Sequence, residues 1–76
     1  MQRFVPELIG EKIREERIRR GLLQKELAEM MYLDVSAINR MEKHGESVGN
    51  IDRLVLVANA LNIDARVLVD AGIDEQ

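Results

Sequence analysis

Seventy-six residues suffice for one small domain, because the fraction of surface a chain can bury falls with its size and cores well below about a hundred residues are marginal. With no cysteine and one histidine, the chain has neither disulfides nor the ligands of the common structural zinc sites, and its two aromatics, Phe4 and Tyr32, are few for stacking on single-stranded nucleic acid. The net charge of −3 is unevenly spread: residues 1–45 hold nine of the eleven Lys and Arg against eight acids, and residues 46–76 hold two against six, so the cations that a polyanionic partner needs lie in the first half.

The first helix is expected to start near Pro6, a favoured first-turn residue, with Glu7 and Glu11 at the positive end of its dipole. Ile9, Ile13 and Arg17 share one face, and Arg19 and Arg20 followed by Gly21 make a stop. Leu27, Ala28 and Met31 recur at helical spacing and predict a two-turn helix over about residues 23–31, after which Tyr32 and Leu33 turn the chain. Asp34 is placed to cap a third helix that sets Ile38 and Met41 against Ser36, Asn39, Arg40 and Lys43. Residues 44–49 contain two glycines and no apolar period, which reads as a loop ending at the cap Asn50.

A fourth helix carries Ile51, Leu54, Ala58 and Leu61 as its buried stripe. Val55, Leu56 and Val57 widen the apolar surface beyond what one core-facing stripe requires, leaving some of it to meet a partner. Asp64 is placed to cap a short fifth helix bearing Val67 and Leu68, and residues 71–76 read as a frayed acidic end. The expected fold class is all-α, a single domain over residues 1–76 with its core at about 7–70. The longest apolar run, residues 54–58, is far too short to span a bilayer, and the first residues carry charge where a signal peptide needs apolar length. A cytoplasmic location follows as the expectation.

Two short helices joined by a tight turn, the second polar and basic on its outer side, describe a helix-turn-helix. The strings Gly21-Leu22-Leu23-Gln24-Lys25-Glu26-Leu27-Ala28, Val35-Ser36-Ala37-Ile38-Asn39-Arg40-Met41-Glu42-Lys43 and Ala58-Asn59-Ala60-Leu61-Asn62-Ile63 resemble the lambda-repressor-like family, also called the Cro/repressor or XRE-type regulators, over most of the chain. The resemblance implies a compact five-helix globule whose third helix enters the major groove of double-stranded DNA. It makes Val35, Ser36, Asn39 and Arg40 the base readers: Arg40 can bond a guanine at two atoms, Asn39 can pair with adenine, Val35 can touch a thymine methyl, and Ser36 can reach a base or a phosphate. It also implies a backbone-phosphate role for Gln24 at the start of the second helix, with Lys25 beside it and Lys43 at the far end of the third. For Lys43 a plain dipole role is an equal reading, and His44 reads as an exposed loop residue. Arg17 and Glu42 match a family ion pair that ties the first helix to the end of the third.

Leu23, Tyr32, Asp34 and the loop around His44 depart from the family pattern. Asp34 opens the third helix with a negative charge close to where a phosphate would lie, and its N-cap role accounts for its presence. Leu23 stands where a capping Ser or Thr is common, a loss of about 1 kcal/mol. Tyr32 replaces the customary turn glycine, and a bulky residue at positive φ costs about 1–2 kcal/mol, which a reshaped turn would avoid. The loop around His44 is about one residue longer than in many relatives.

Operators of such regulators are usually palindromes read by a two-fold homodimer. Leu56 stands where the family often has a polar residue, and with Val55, Val67, Val69 and Ile73 it can form an apolar patch covered between subunits. The leading function is thus sequence-specific DNA binding by a transcriptional regulator, a repressor or a small controller, with no cofactor. A protein-interaction module, such as the antitoxin half of a toxin pair, is the alternative. Ser47 and His44 lie near each other but lack an orienting acid and an oxyanion arrangement, so an enzyme is not expected.

Overall fold

The computed structural model describes residues 1–75. These form five helices, α1 (Pro6–Arg19), α2 (Gln24–Met30), α3 (Val35–His44), α4 (Ile51–Leu61) and α5 (Ala65–Ala71), and two short strands, β1 (Gln2–Phe4) and β2 (Ile73–Glu75). α1 packs on α3 and α5, α2 on α3, and α4 on α5. Ile9 and Ile13 of α1, Leu27 of α2, Ile38 and Met41 of α3, Val57 and Leu61 of α4 and Leu68 of α5 are fully buried in one aliphatic core. With so few aromatics, burial of branched chains is the main stabilising term, about 1.5–3 kcal/mol each.

Three helices end alike. At the end of α1 the Gly21 amide donates to Ile18 O and the Leu22 amide to Arg17 O, with Gly21 at φ +68. After α2 the amides of Tyr32 and Leu33 donate to Glu29 O and Ala28 O, and after α4 those of Asn62 and Ile63 donate to Asn59 O and Ala58 O. Each is a Schellman closure, which satisfies terminal carbonyls but needs one left-handed residue. Gly21 meets that need without strain, and Asn62 at moderate cost. Tyr32 meets it at φ +56. The turn is therefore not reshaped around the tyrosine; the bond pattern of the motif holds and the residue carries the strain. Because the residue is 96% exposed, little packing offsets the cost. Tyr32→Gly is expected to raise unfolding stability by about 0.5–1 kcal/mol, the relief of a left-handed side chain less the added chain entropy. Urea denaturation checks this, and an unchanged midpoint would mean that the ring contributes packing of its own.

Several expectations need correction. The end of the chain is not frayed through residue 75: β2 pairs antiparallel with β1 in the register Gln2 with Glu75, Arg3 with Asp74 and Phe4 with Ile73, and only Gln76 lies outside the described residues. The Val5 amide donates to Gly72 O at 2.7 Å, and Arg3 reaches Asp74 at 3.3 Å. Three-residue strands have too few side chains to show a period of two, so nothing in the sequence pattern marks them. Ile51 is not in the buried stripe; it is the first residue of α4 and 68% exposed, whereas Val57 is core and unavailable to a partner. Val48, inside the glycine-bearing loop, is buried and pins that loop to the globule. Asp34 takes the N-cap conformation, but its carboxylate bonds no helix amide, while Asn50 and Asp64 accept from Arg53 N and Arg66 N.

Candidate nucleic-acid interface

α2, residues 31–34 and α3 set two helices across a four-residue turn. α3 buries Ile38 and Met41, and this fixes the opposite side outward: Val35, Ser36, Asn39 and Arg40 are all exposed. Among the described residues, the side chains of Ser36 and Asn39 have no intramolecular hydrogen bond, so their donors and acceptors are free for a ligand.

A buried polar cluster holds this unit to the rest of the domain. Arg17 Nε donates to Glu42 Oε2 at 2.7 Å and Arg17 Nη2 to Glu42 Oε1 at 3.2 Å, a bidentate pair, while Arg17 Nη1 donates to Leu22 O at 2.6 Å. Gln24 Nε2 adds a bond to Glu42 Oε1 at 3.1 Å. One carboxylate thus joins α1, the start of α2 and the end of α3. Arg17 and Glu42 are 8% and 4% exposed. Gln24, expected at a phosphate, is half-buried and turned toward Glu42, leaving its carbonyl oxygen and second amide hydrogen outside that bond. Leu23 caps α2 with no side-chain bond of its own, but Glu26 Oε1 accepts from the Leu23 amide at 2.8 Å, so half of a capping box survives.

The cations divide into two groups. Arg3, Lys12, Arg17, Arg19, Arg20, Arg40 and Arg66 each lie within 4 Å of a carboxylate. Glu16 alone gathers Arg20, Arg19 and Lys12; the Arg20 hydrogen bond, then the nearby charges of Arg19, Arg20 and Lys12, hold its carboxyl below the usual range. Asp64 is held down to about 2 by the side-chain and then the backbone bond from Arg66. Among the described residues, Arg14, Lys25, Lys43 and Arg53 have no such carboxylate. Two of these four, Lys25 at the start of α2 and Lys43 in the last turn of α3, stand on the helix-turn-helix itself and are exposed. Two lysines without a carboxylate partner thus stand on this unit, beside the exposed carboxylates of Glu26, Glu29 and Asp34.

Val55, Leu56 and Val67 form exposed apolar positions on α4 and α5, with Leu56 52% exposed; Val69 is half-buried against the core, and Ile73 lies on β2. Residues that the sequence did not single out also shape the site. Gly10 lies where α1 crosses the end of α3, Gly45 closes α3 at φ +66 against Pro6, and Glu46 meets Arg40. Among the described residues no helix is long and apolar enough to cross a membrane, and no group of three metal-ligating side chains converges.

A turn-linked helix pair with an exposed polar reading flank, locked from behind by a buried ion pair, defines a helix-turn-helix domain of the kind that docks on duplex DNA. The helix-turn-helix family model matches residues 13–68, and the chain belongs to this family of XRE-type DNA-binding transcriptional regulators. Among solved structures it is similar to the restriction-modification controller protein C.AhdI from Aeromonas hydrophila, with 32% identity over 83% of this chain and 94% of that one at a TM-score of 0.73. It is likewise similar to SinR, the master regulator for biofilm formation, crystallised in complex with DNA, with 27% identity over 82% and 98% and a TM-score of 0.73. The controller protein C.Esp1396I matches at 25% identity over 90% and 87% with a TM-score of 0.77. Among curated protein sequences none matches this chain.

Proposed function

We propose that this regulator acts as a homodimer on a palindromic operator in the cytoplasm, with Val35, Ser36, Asn39 and Arg40 reading base edges and Gln24, Lys25 and Lys43 on phosphates. The observation that supports this reading most is the outward flank of α3, where Val35, Ser36, Asn39 and Arg40 are all exposed on a helix-turn-helix that also carries Lys25 and Lys43, neither of them within 4 Å of a carboxylate among the described residues. Val55, Leu56 and Val67 supply apolar surface for a second copy, Val69 backs them from the core edge, and a dimer doubles the few contacts one small module can make. Operator occupancy by such a dimer suits a repressor or a small controller, the role named for C.AhdI and C.Esp1396I.

Selection of bound sites from random duplexes at two salt concentrations tests it. The expected outcome is a two-fold symmetric consensus whose affinity falls steeply with salt, because each neutralised phosphate releases counterions. Arg40→Ala is expected to relax one base position per half-site, costing about 1–3 kcal/mol of discrimination there. Uniform weakening on every sequence would move Arg40 from base to phosphate, and an asymmetric consensus would remove the dimer.

A further inference from the structure

Arg40 does not stand free on the reading face. Its Nε is shared between the two carboxylate oxygens of Glu46, at 3.3 Å from Oε1 and 3.1 Å from Oε2. Among the described residues neither Nη1 nor Nη2 has a partner. Glu46 is itself placed by a built turn. Gly45 before it is left-handed, buried and set against Pro6, and its amide closes α3 on Met41 O at 2.9 Å. Ser47 after it is also left-handed, at φ +69, and Val48 is sunk in the core. The backbone that carries Glu46 is thus constrained, while the Arg40 and Glu46 side chains are themselves half exposed, at 50% and 52%.

From this geometry we infer that Glu46 is a specificity-determining residue: by engaging Nε it holds the Arg40 guanidinium so that the Nη1–Nη2 edge meets the O6 and N7 atoms of a guanine. The inference rests on the proposed reading of Arg40 as a base contact. A guanidinium has a fixed fork of five N–H donors, and a carboxylate on the inner donor leaves the outer pair for the base. The same carboxylate places a negative charge beside the DNA backbone, where it opposes every duplex alike. One side chain thus sharpens choice while lowering general affinity. An unsupported arginine would do the reverse, since it can swing to any phosphate in reach.

The test compares the wild type, Glu46→Ala, Glu46→Gln, Arg40→Ala and the Arg40→Ala/Glu46→Ala double variant. Each is titrated against the selected operator, the operator with the Arg40 base pair exchanged, and an unrelated duplex. Glu46→Ala is expected to bind the unrelated duplex more tightly while its preference for the Arg40 base pair drops about tenfold, equivalent to about 1.4 kcal/mol. Glu46→Gln, which retains an acceptor for Nε, is expected to keep most of that preference and still gain general affinity. In the Arg40→Ala background, Glu46→Ala is expected to leave the preference unchanged. Glu46→Ala with undiminished preference overturns the inference while leaving the DNA-binding reading intact; a wild type without preference among duplexes overturns both. Circular dichroism of each variant separates either result from loss of fold.

Discussion

Glu42→Ala is expected to be among the most damaging single changes in the molecule, costing about 3–5 kcal/mol of unfolding stability because a buried guanidinium loses its counter-charge. A domain of this size holds about 4–11 kcal/mol in all, so the variant loses a large share of its stability and, at the low end of that range, sits at the threshold for folding at ambient temperature. Arg17 cannot readily turn to water to recover the loss: it is 8% exposed, and its Nη1 is engaged with Leu22 O. Gln24 is released at the same time, because its bond to the shared carboxylate disappears. The comparison that isolates the charge is Arg17→Met with Glu42→Leu, in which no unpaired ion remains; buried pairs replaced whole by apolar chains are often neutral. That double variant is expected to recover more than half of the loss in urea titrations. If Glu42→Ala lost under about 1 kcal/mol, well below the cost of a stranded buried charge, the pair would be a surface-like contact and not what fixes α1 to the helix-turn-helix.

Much of this arrangement was legible in the chain because it follows from period and caps. Ile9, Ile13, Leu27, Ala28, Ile38, Met41, Leu54, Ala58 and Leu61 recur at helical spacing, and all are buried. Gly21 and Asn50 mark a stop and a start where α1 ends and α4 begins. Asp34 illustrates what residue type leaves open: it has the chemistry of a cap, yet its side chain makes no cap bond. Arg40 with Glu46, and Gln24 with Glu42, lie six and eighteen residues apart. Their meeting depends on how a left-handed loop and a tight helix crossing orient side chains, which no period encodes. The terminal ribbon is likewise a product of tertiary placement. α1 and α5 pack together, bringing the chain ends within pairing distance, and the three-residue strands have no stability of their own. Ile51 misled for another reason: at the first position of a helix, an apolar residue at core spacing can still project past the edge of the core.

Gly10→Ala separates contact from conformation more cleanly than any other change in the fold. Gly10 is in the middle of α1, where alanine is ordinarily preferred by about 1 kcal/mol. Yet a Cβ there would lie 2.7 Å from the Glu42 carbonyl oxygen and closer still to that of Met41. Both obstacles are backbone in the last turns of α3, so no rotamer change can yield; α1 and α3 must move apart. The expected net loss is about 2 kcal/mol, an overpacking cost of about 3 kcal/mol against rigid backbone less the helix-propensity gain of about 1 kcal/mol. Gly21→Ala is the counterpart: nothing lies within 4 Å of its Cβ, but its φ is +68, so about 1 kcal/mol of conformational strain is expected and no displacement. Because Arg17, Gln24 and Glu42 meet at the same crossing, Gly10→Ala is also expected to weaken operator binding under conditions where it remains folded, whereas folded Gly21→Ala should bind as the wild type does. Calorimetric unfolding and duplex titration at a temperature well below both transitions read the two effects separately. Equal stability losses for the two variants would show that the α1–α3 crossing has room to relax, and that Gly10 is not what permits the close approach holding the reading helix in place.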